Sequence, residues 1–233
     1  MGAPLGRGRA GLGLLVGWLA LVPVAGVWTA GAAEPEGRII DRVVAVIEDQ
    51  VLTLSELEFE TRVALVQRGG VRAAEVPLDE KTLQGALELA INQRLLVASA
   101  DRLQAFPAER SEVEARLRLF RERFEDELAL LAFLARYDAD VEQLSRVLER
   151  GVRAERILDS RIRLRAQVSE TEVRRYWQQH SARLGGPYEL IRDNLKEKLV
   201  RERYGQLAAA EFAQVRASAR VRRVAPFARE ARP

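Results

Sequence analysis

A long helix predicted near the C-terminal end of the chain sets the first limit on the fold. Helical spacing extends over residues 187–216, and Pro187 begins the segment, where its missing amide donor does no harm. At 1.5 Å per residue, such a helix spans roughly 45 Å. It cannot bury its apolar side within itself, so it requires partner helices from earlier in the chain. The sequence therefore predicts a helical fold to which the C-terminal part of the chain returns.

Start signals predict several earlier helices. Ser55, Ser111 and Ser169 are each followed three residues later by a Glu. In such a capping box the Ser hydroxyl accepts a hydrogen bond from a free backbone N–H, and the Glu carboxylate accepts one from the amide of the cap residue. We therefore interpret these residues as helix starts and not as catalytic carboxylates. Apolar periodicity predicts further helices over residues 79–100 and 127–136, and a long one after the cap residue Asp140, with apolar positions from Val141 to Ile162 on one side.

A small β element is predicted at the two ends of this helical region. Residues 42–47 and 50–53 are rich in β-branched side chains, with Glu48 and Asp49 as the turn between two strands of a hairpin. Residues 220–224 alternate enough to form a closing strand beside that hairpin. The predicted fold class is therefore mainly α, with several helices, a β hairpin and a closing C-terminal strand. It forms one domain over residues 34–224, with an N-terminal part (40–168) and a returning helix and strand (187–224), followed by a disordered tail (225–233).

The N-terminal segment has the order of parts of a Sec-type signal peptide. It contains no acidic residue up to position 33, and Arg7 and Arg9 precede an apolar run over residues 12–27. Ala30 and Ala32 then supply the small side chains that a signal peptidase accepts. The prediction is a signal peptide over residues 1–33 and export of the remaining chain, without stable membrane insertion after cleavage. An uncleaved membrane anchor is the alternative.

Composition argues against catalysis, metal binding and nucleic-acid binding. The chain has no Cys and a single His, His180, which leaves neither a thiol nor the ligands of a familiar metal site or catalytic triad. No glycine-rich phosphate loop is present. The formal net charge is +3, of which Arg7 and Arg9 contribute two, so an exported chain would be nearly neutral, unlike most nucleic-acid-binding proteins. We predict no catalytic residue, no metal and no cofactor.

The order of the segments resembles the N-terminal chaperone module of SurA-type periplasmic proteins. The resemblance covers residues 40–224 and rests on a valine-rich hairpin leading into a helix, two internal helices and a final capped phrase, at residues 42–57, 86–96, 111–114 and 168–176. It implies a multi-helix chaperone module of the SurA N-terminal and trigger-factor-like type. It also implies a periplasmic location, and unfolded or extended polypeptides as partners, outer-membrane proteins among them.

One departure from the SurA-type pattern bears on activity. In that family, the phrase similar to residues 168–176 leads into parvulin prolyl isomerase domains. Here only residues 178–186 separate the helix that contains Tyr176 and Trp177 from the returning segment. The resemblance therefore implies a holding chaperone without isomerase activity. The alternative is a structural or adaptor protein that holds one dedicated partner in a cell-envelope or export complex. The sequence indicates neither the client nor the oligomeric state.

Six aromatic residues are the candidates for contact with such clients. An apolar concave surface rimmed by charge would bind unfolded chains and remain soluble. The aromatic side chains that could contribute to it are Phe120, Phe124, Phe133, Tyr137, Tyr176 and Trp177. For each of them the alternative is ordinary packing in the protein core.

Overall fold

The computed structural model describes residues 41–228, in which helices predominate and three short strands form an antiparallel sheet. The expectation of a mainly α fold with a small β element is confirmed. The predicted signal peptide, residues 1–33, lies outside the described residues, as do residues 34–40. The elements, in chain order, are β1 (Val43–Ile47), β2 (Gln50–Thr53), α1 (Leu54–Gln67), α2 (Val71–Glu75), α3 (Glu80–Asp101), α4 (Arg110–Arg121), α5 (Glu127–Arg136), α6 (Val141–Ile162), α7 (Glu170–Leu184), α8 (Tyr188–Ala217), β3 (Val221–Arg223) and a 3₁₀ turn (Pro226–Ala228).

The sheet joins the two ends of the described chain. Its strand order is β2-β1-β3, and both pairings are antiparallel, with Ala45 opposite Arg223 and Ile47 opposite Val221. The turn between β1 and β2 places Glu48 at φ 50°, in the left-handed region. β1 is the central strand, and its Val44 and Ala45 are fully buried in a cluster that includes residues of α3. The predicted hairpin and the predicted closing strand are both present.

The prediction of a disordered tail is wrong for residues 225–228. Ala225 and Ala228 are buried, and they pack with Leu83 and Leu87 of α3. The amide of Gln84 also donates a hydrogen bond to the carbonyl oxygen of Phe227 at 2.9 Å. These apolar residues cover the N-terminal half of α3, which would otherwise be open to water. Residues 229–233 lie outside the described residues.

Two of the three predicted helix caps lie two residues upstream of the predicted position. The cap of α1 is Thr53, which forms a capping box with Glu56, and the cap of α4 is Glu109, whose backbone N–H donates to Glu112 at 3.3 Å. Each of these pairs has the same spacing as the predicted pairs at Ser55 and Ser111, so the start signal was duplicated. The third cap is confirmed, because the hydroxyl of Ser169 accepts from the amide of Glu172 at 3.3 Å.

The long helix α8 divides its packing between two groups of elements. Its C-terminal half contributes Phe212 and Val215 to a cluster with Ile157 of α6 and residues of α3, as the need for earlier partner helices predicted. Its N-terminal half pairs with α7 around a small separate cluster that contains Val173 and Leu195. We refer to this second part, residues 168–203, as the α7–α8 lobe. Pro187 occupies the cap position of α8 and not its first turn, which was the predicted place.

Candidate functional site

A groove of about 330 Å³ lies between α1, α3 and α6, and Arg116 of α4 also lines it. Its volume falls in the range of about 300 to 1,000 Å³ that is typical of ligand pockets. Leu57, Ala90 and Leu148, all nearly fully buried, lie at its base. Charged and amide side chains surround the opening, namely Gln67, Arg68, Lys81, Gln93, Arg116 and Glu155. The α1–α3–α6 groove therefore combines an apolar base with a polar rim.

Two helix-interior glycines leave space in this groove. Gly85 of α3 and Gly151 of α6 line it, and a Cβ atom built at either position meets no atom within 4 Å. A glycine inside a helix destabilises it by roughly 0.5–1 kcal/mol relative to alanine. Neither glycine has a positive φ that would require it. Together with the small side chains of Ala64 and Ala86, these two glycines leave open space between the helices that line the groove.

A charged network links the three helices that frame the groove. Glu60 of α1 accepts hydrogen bonds from Arg94 of α3, at 2.7 and 2.9 Å, and from Arg150 of α6. The side chains of Glu60 and Arg94 are only 11% and 6% exposed. Burial lowers the pKa of Arg150, although the charge of Glu60 acts in the opposite direction. Because one carboxylate is shared by two guanidinium groups, it holds the facing sides of α1, α3 and α6 in register.

A second depression continues from the groove along α4 and α6. The ion pair of Arg116 and Glu155, with hydrogen bonds of 2.7 and 3.3 Å, lines both depressions and so lies at their junction. The hydrogen bond to Glu155 is the main reason that the pKa of Arg116 is raised. This α4–α6 furrow, of about 750 Å³, includes two exposed leucines, Leu119 and Leu164. An exposed ion pair contributes only about 0–1 kcal/mol, so a bound chain could displace it.

Four of the six candidate aromatic residues lie in the protein core or pack against it. Phe120, Phe124, Phe133 and Tyr137 form a chain of ring contacts with centroid separations of 5.2 to 6.4 Å. Phe120 and Phe133 are 1% and 2% exposed, so their side chains form part of the core and are not open to contact with a client, contrary to the prediction. They are buried because α4 and α5 turn these faces towards α1 and α6. The hydroxyl of the half-buried Tyr137 donates a hydrogen bond to the carbonyl oxygen of Ala74 at 3.1 Å, and the guanidinium group of Arg62 lies over its ring.

The other two candidate aromatics lie in the α7–α8 lobe and pack against a different apolar cluster from the first four. Trp177 donates its indole N–H to the carbonyl oxygen of Gly186 at 3.2 Å and contacts the ring of Tyr188 edge-on. Tyr176 stacks on His180 at 4.1 Å and lines a shallow pocket of about 250 Å³. Both aromatic side chains are half-buried. The structure therefore does not bring the six residues together into one surface.

The groove residues were missed at the level of the sequence. Gly85 and Gly151 are isolated glycines inside clear helical patterns, and that is the signal that could have pointed to them. The arrangement is suited to binding an extended segment, because the base is apolar and the rim amides and charges can hydrogen-bond to an exposed backbone.

Comparisons with known proteins leave this site to be interpreted from its geometry. No protein-family model matches the chain, and no curated protein matches it in a sequence comparison. Within residues 41–228, no cluster of three or more His, Asp or Glu side chains is arranged to hold a metal ion. None of the helices in that same range is long and apolar enough to cross a membrane.

Proposed function

We propose that this chain is a periplasmic holding chaperone that binds unfolded or extended polypeptides, such as outer-membrane proteins, without prolyl isomerase activity. The observation that carries the proposal is the α1–α3–α6 groove, with its apolar base, its charged rim and two glycines that keep it open. The resemblance of residues 40–224 to the SurA-type N-terminal module supports the client class. The signal-peptide pattern of residues 1–33 supports export.

Binding in such a groove is weak and reversible. The apolar area at the base is small, since Leu57, Ala90 and Leu148 expose little surface each, so no single client side chain is held tightly. The rim contributes hydrogen bonds to backbone groups, which every polypeptide carries. Clients are therefore recognised by being unfolded and not by their sequence. Release requires no nucleotide, because the affinity for one short segment is low.

The proposal can be tested by filling the groove. In the double variant Gly85→Leu and Gly151→Leu, two leucine side chains occupy the space above α3 and α6, while a Cβ at either position meets no atom within 4 Å. We expect residues 34–233 of the natural sequence to suppress light scattering by a diluted, unfolded outer-membrane protein near stoichiometric amounts. The filled variant should lose most of this suppression while its helical circular-dichroism spectrum is retained.

Gly205→Leu is the matched control. Gly205 also lies inside a helix, α8, with open space around its Cβ position, but it does not line the groove. It should suppress scattering as well as the natural sequence does. Equal suppression by the filled variant would show that the client binds elsewhere on the molecule, and would contradict the groove as the binding site. If the folded natural chain gives no suppression at all, the holding function is contradicted, and the alternative of an adaptor with one dedicated partner is tested by affinity purification from envelope extracts.

A further inference from the structure

The acidic side chains that line the α1–α3–α6 groove are all engaged within the protein. The groove is lined by two carboxylates and three cations, namely Glu60, Glu155, Arg68, Lys81 and Arg116. Glu60 accepts hydrogen bonds from the two guanidinium groups of the charged network. Glu155 accepts two hydrogen bonds from Arg116. A cationic client would have to break one of these contacts before it found a carboxylate of the groove to pair with.

Two of the three cations of the groove are not engaged in this way. Within residues 41–228, neither Arg68 nor Lys81 forms a side-chain hydrogen bond or an ion pair, and both side chains are exposed. Hydrogen bonds from Thr82 are the main cause that lowers the pKa of Asp79, the cap of α3, and the charge of Lys81 makes a smaller contribution. The rim therefore offers two cations to an anion of the client, and the balance of available charge in the groove is positive.

The charged network beside the groove has the same sign. One carboxylate, that of Glu60, is shared there by the guanidinium groups of Arg94 and Arg150. Burial is the main cause that lowers the pKa of Arg150, and the charge of Arg94 acts in the same direction. The carboxylates of Glu60 and Glu56 oppose this effect. The Nε atom of Arg150 is also buried without a hydrogen-bond partner among the described residues. This excess of positive charge favours an anion over a cation in the adjoining groove.

We propose that the α1–α3–α6 groove prefers extended polypeptide segments that carry Asp or Glu side chains. The carboxylates of such a segment pair with Arg68 and Lys81 at the rim, while its backbone and small apolar side chains lie over the base. The inference rests on the proposed function, because it names the clients that the holding site favours. The preference is for charge and not for an order of residues, so it adds to the recognition of an unfolded chain.

Labelled peptides that differ only in charge test this preference. Three unstructured peptides share one length and the same apolar residues, and carry Glu, Gln or Lys at the same spaced positions. Fluorescence anisotropy measures their binding to residues 34–233. We expect the Glu peptide to bind about five-fold more tightly than the Gln peptide, which is what two exposed ion pairs supply. The Lys peptide should bind least tightly. In about 1 M salt, where the Debye length falls to about 3 Å, the three affinities should converge.

Two double variants with the same net charge locate the preference. Arg68→Gln with Lys81→Gln removes both available cations of the groove, so the Glu and Gln peptides should bind this variant equally. Lys196→Gln with Arg222→Gln is the matched control, because these two exposed cations do not line the groove. It should keep the full preference for the Glu peptide.

Reversing the rim charges gives a result that a damaged fold cannot imitate. In Arg68→Glu with Lys81→Glu, we expect the Lys peptide to bind more tightly than the Glu peptide. Both positions are exposed, and circular dichroism checks that the helices are retained.

The outcomes separate this inference from the proposed function. If the three peptides bind the natural chain equally and the filled variant, Gly85→Leu with Gly151→Leu, binds none of them, the holding site stands and the charge preference is wrong. A preference that survives Arg68→Gln with Lys81→Gln would arise elsewhere on the molecule and would also overturn the inference. If no peptide binds the folded natural chain, the groove is not a holding site, and the inference falls with the function on which it rests.

Discussion

Glu60 is the residue on which the geometry of the groove most depends. It lies on α1 with little exposure, and its carboxylate is shared between Arg94 of α3 and Arg150 of α6. Three helices that are distant in sequence thus meet at one side chain. The two guanidinium groups outnumber the single carboxylate, so the network tolerates the loss of that negative charge poorly. A buried charge left without its partner is far more unfavourable than a broken ion pair at the surface.

We expect Glu60→Gln to lower the free energy of unfolding by about 3 kcal/mol, because both guanidinium groups lose their counter-charge in a largely buried place. Urea denaturation followed by circular dichroism measures the change. The control is Glu142→Gln, which removes an exposed ion pair with Arg146, and it should change stability by less than about 0.5 kcal/mol. Equal effects of the two substitutions would show that the network contributes no more than a surface pair.

At the scale of elements, the start of α7 ties the α7–α8 lobe together. Glu172 accepts hydrogen bonds from the backbone N–H of Ser169, at 2.8 Å, and from Arg203 of α8, at 2.6 Å. The hydrogen bond from Arg203 is the largest cause that lowers the pKa of Glu172, from an ordinary value of 4.5 to about 2, and Ser169 adds to it. One carboxylate therefore both caps a helix and joins it to its neighbour.

Acidification should loosen this lobe. Because the pKa of Glu172 is lower in the folded chain than in the unfolded chain, its contribution is complete above about pH 4.5 and is lost as the pH falls towards about 2. Trp177 is the one tryptophan of residues 34–233, so its fluorescence reports on the lobe. We expect Glu172→Gln to remove most of the fluorescence change between pH 4.5 and 2. Glu189→Gln, an exposed substitution in the same lobe, should keep that change; if both variants behave alike, Glu172 is not its cause.

At the scale of the whole molecule, the C-terminal segment closes the fold on its N-terminal hairpin. β3 pairs with β1. Glu88 of α3 accepts hydrogen bonds from Arg223 and forms an ion pair with Arg216. Burial acts to raise the pKa of Glu88, but the hydrogen bonds from these two arginines outweigh it and lower the pKa. Since the described chain contains no disulfide, this closure depends on packing, strand pairing and charge alone.

Ending the chain at Arg220 should therefore destabilise the whole domain and not only its end. The truncation removes the β1–β3 pairing, one of the two arginine partners of Glu88, and the buried residues Ala225 and Ala228. We expect a loss of at least about 3 kcal/mol in the free energy of unfolding. A chain that ends at Ala228 keeps every contact described and serves as the reference. Equal thermal stability of the two chains would show that β3 does not close the fold.

Prediction from the sequence succeeded best where local signals were strong and unduplicated. The bounds of α5 were predicted to the residue because its apolar spacing is regular, and the start of α6 was predicted because Asp140 precedes it as a cap. The caps at Ser55 and Ser111 were displaced because an equivalent pair stood two residues earlier. The tail at residues 225–228 was taken as disordered because its order depends on α3, which is distant in the chain.

The amino-acid sequence alone was enough for the mainly α fold, the hairpin with its closing strand, and the return of α8 to earlier helices, because caps and periodicity are local properties of the chain. It could not assign Phe120 and Phe133 to the core, or reveal the space above Gly85 and Gly151. Periodicity says which residues of a helix share a face, but what covers that face depends on helices far away in sequence. For the same reason, only the tertiary structure showed that one face of α5 is buried and the other is exposed.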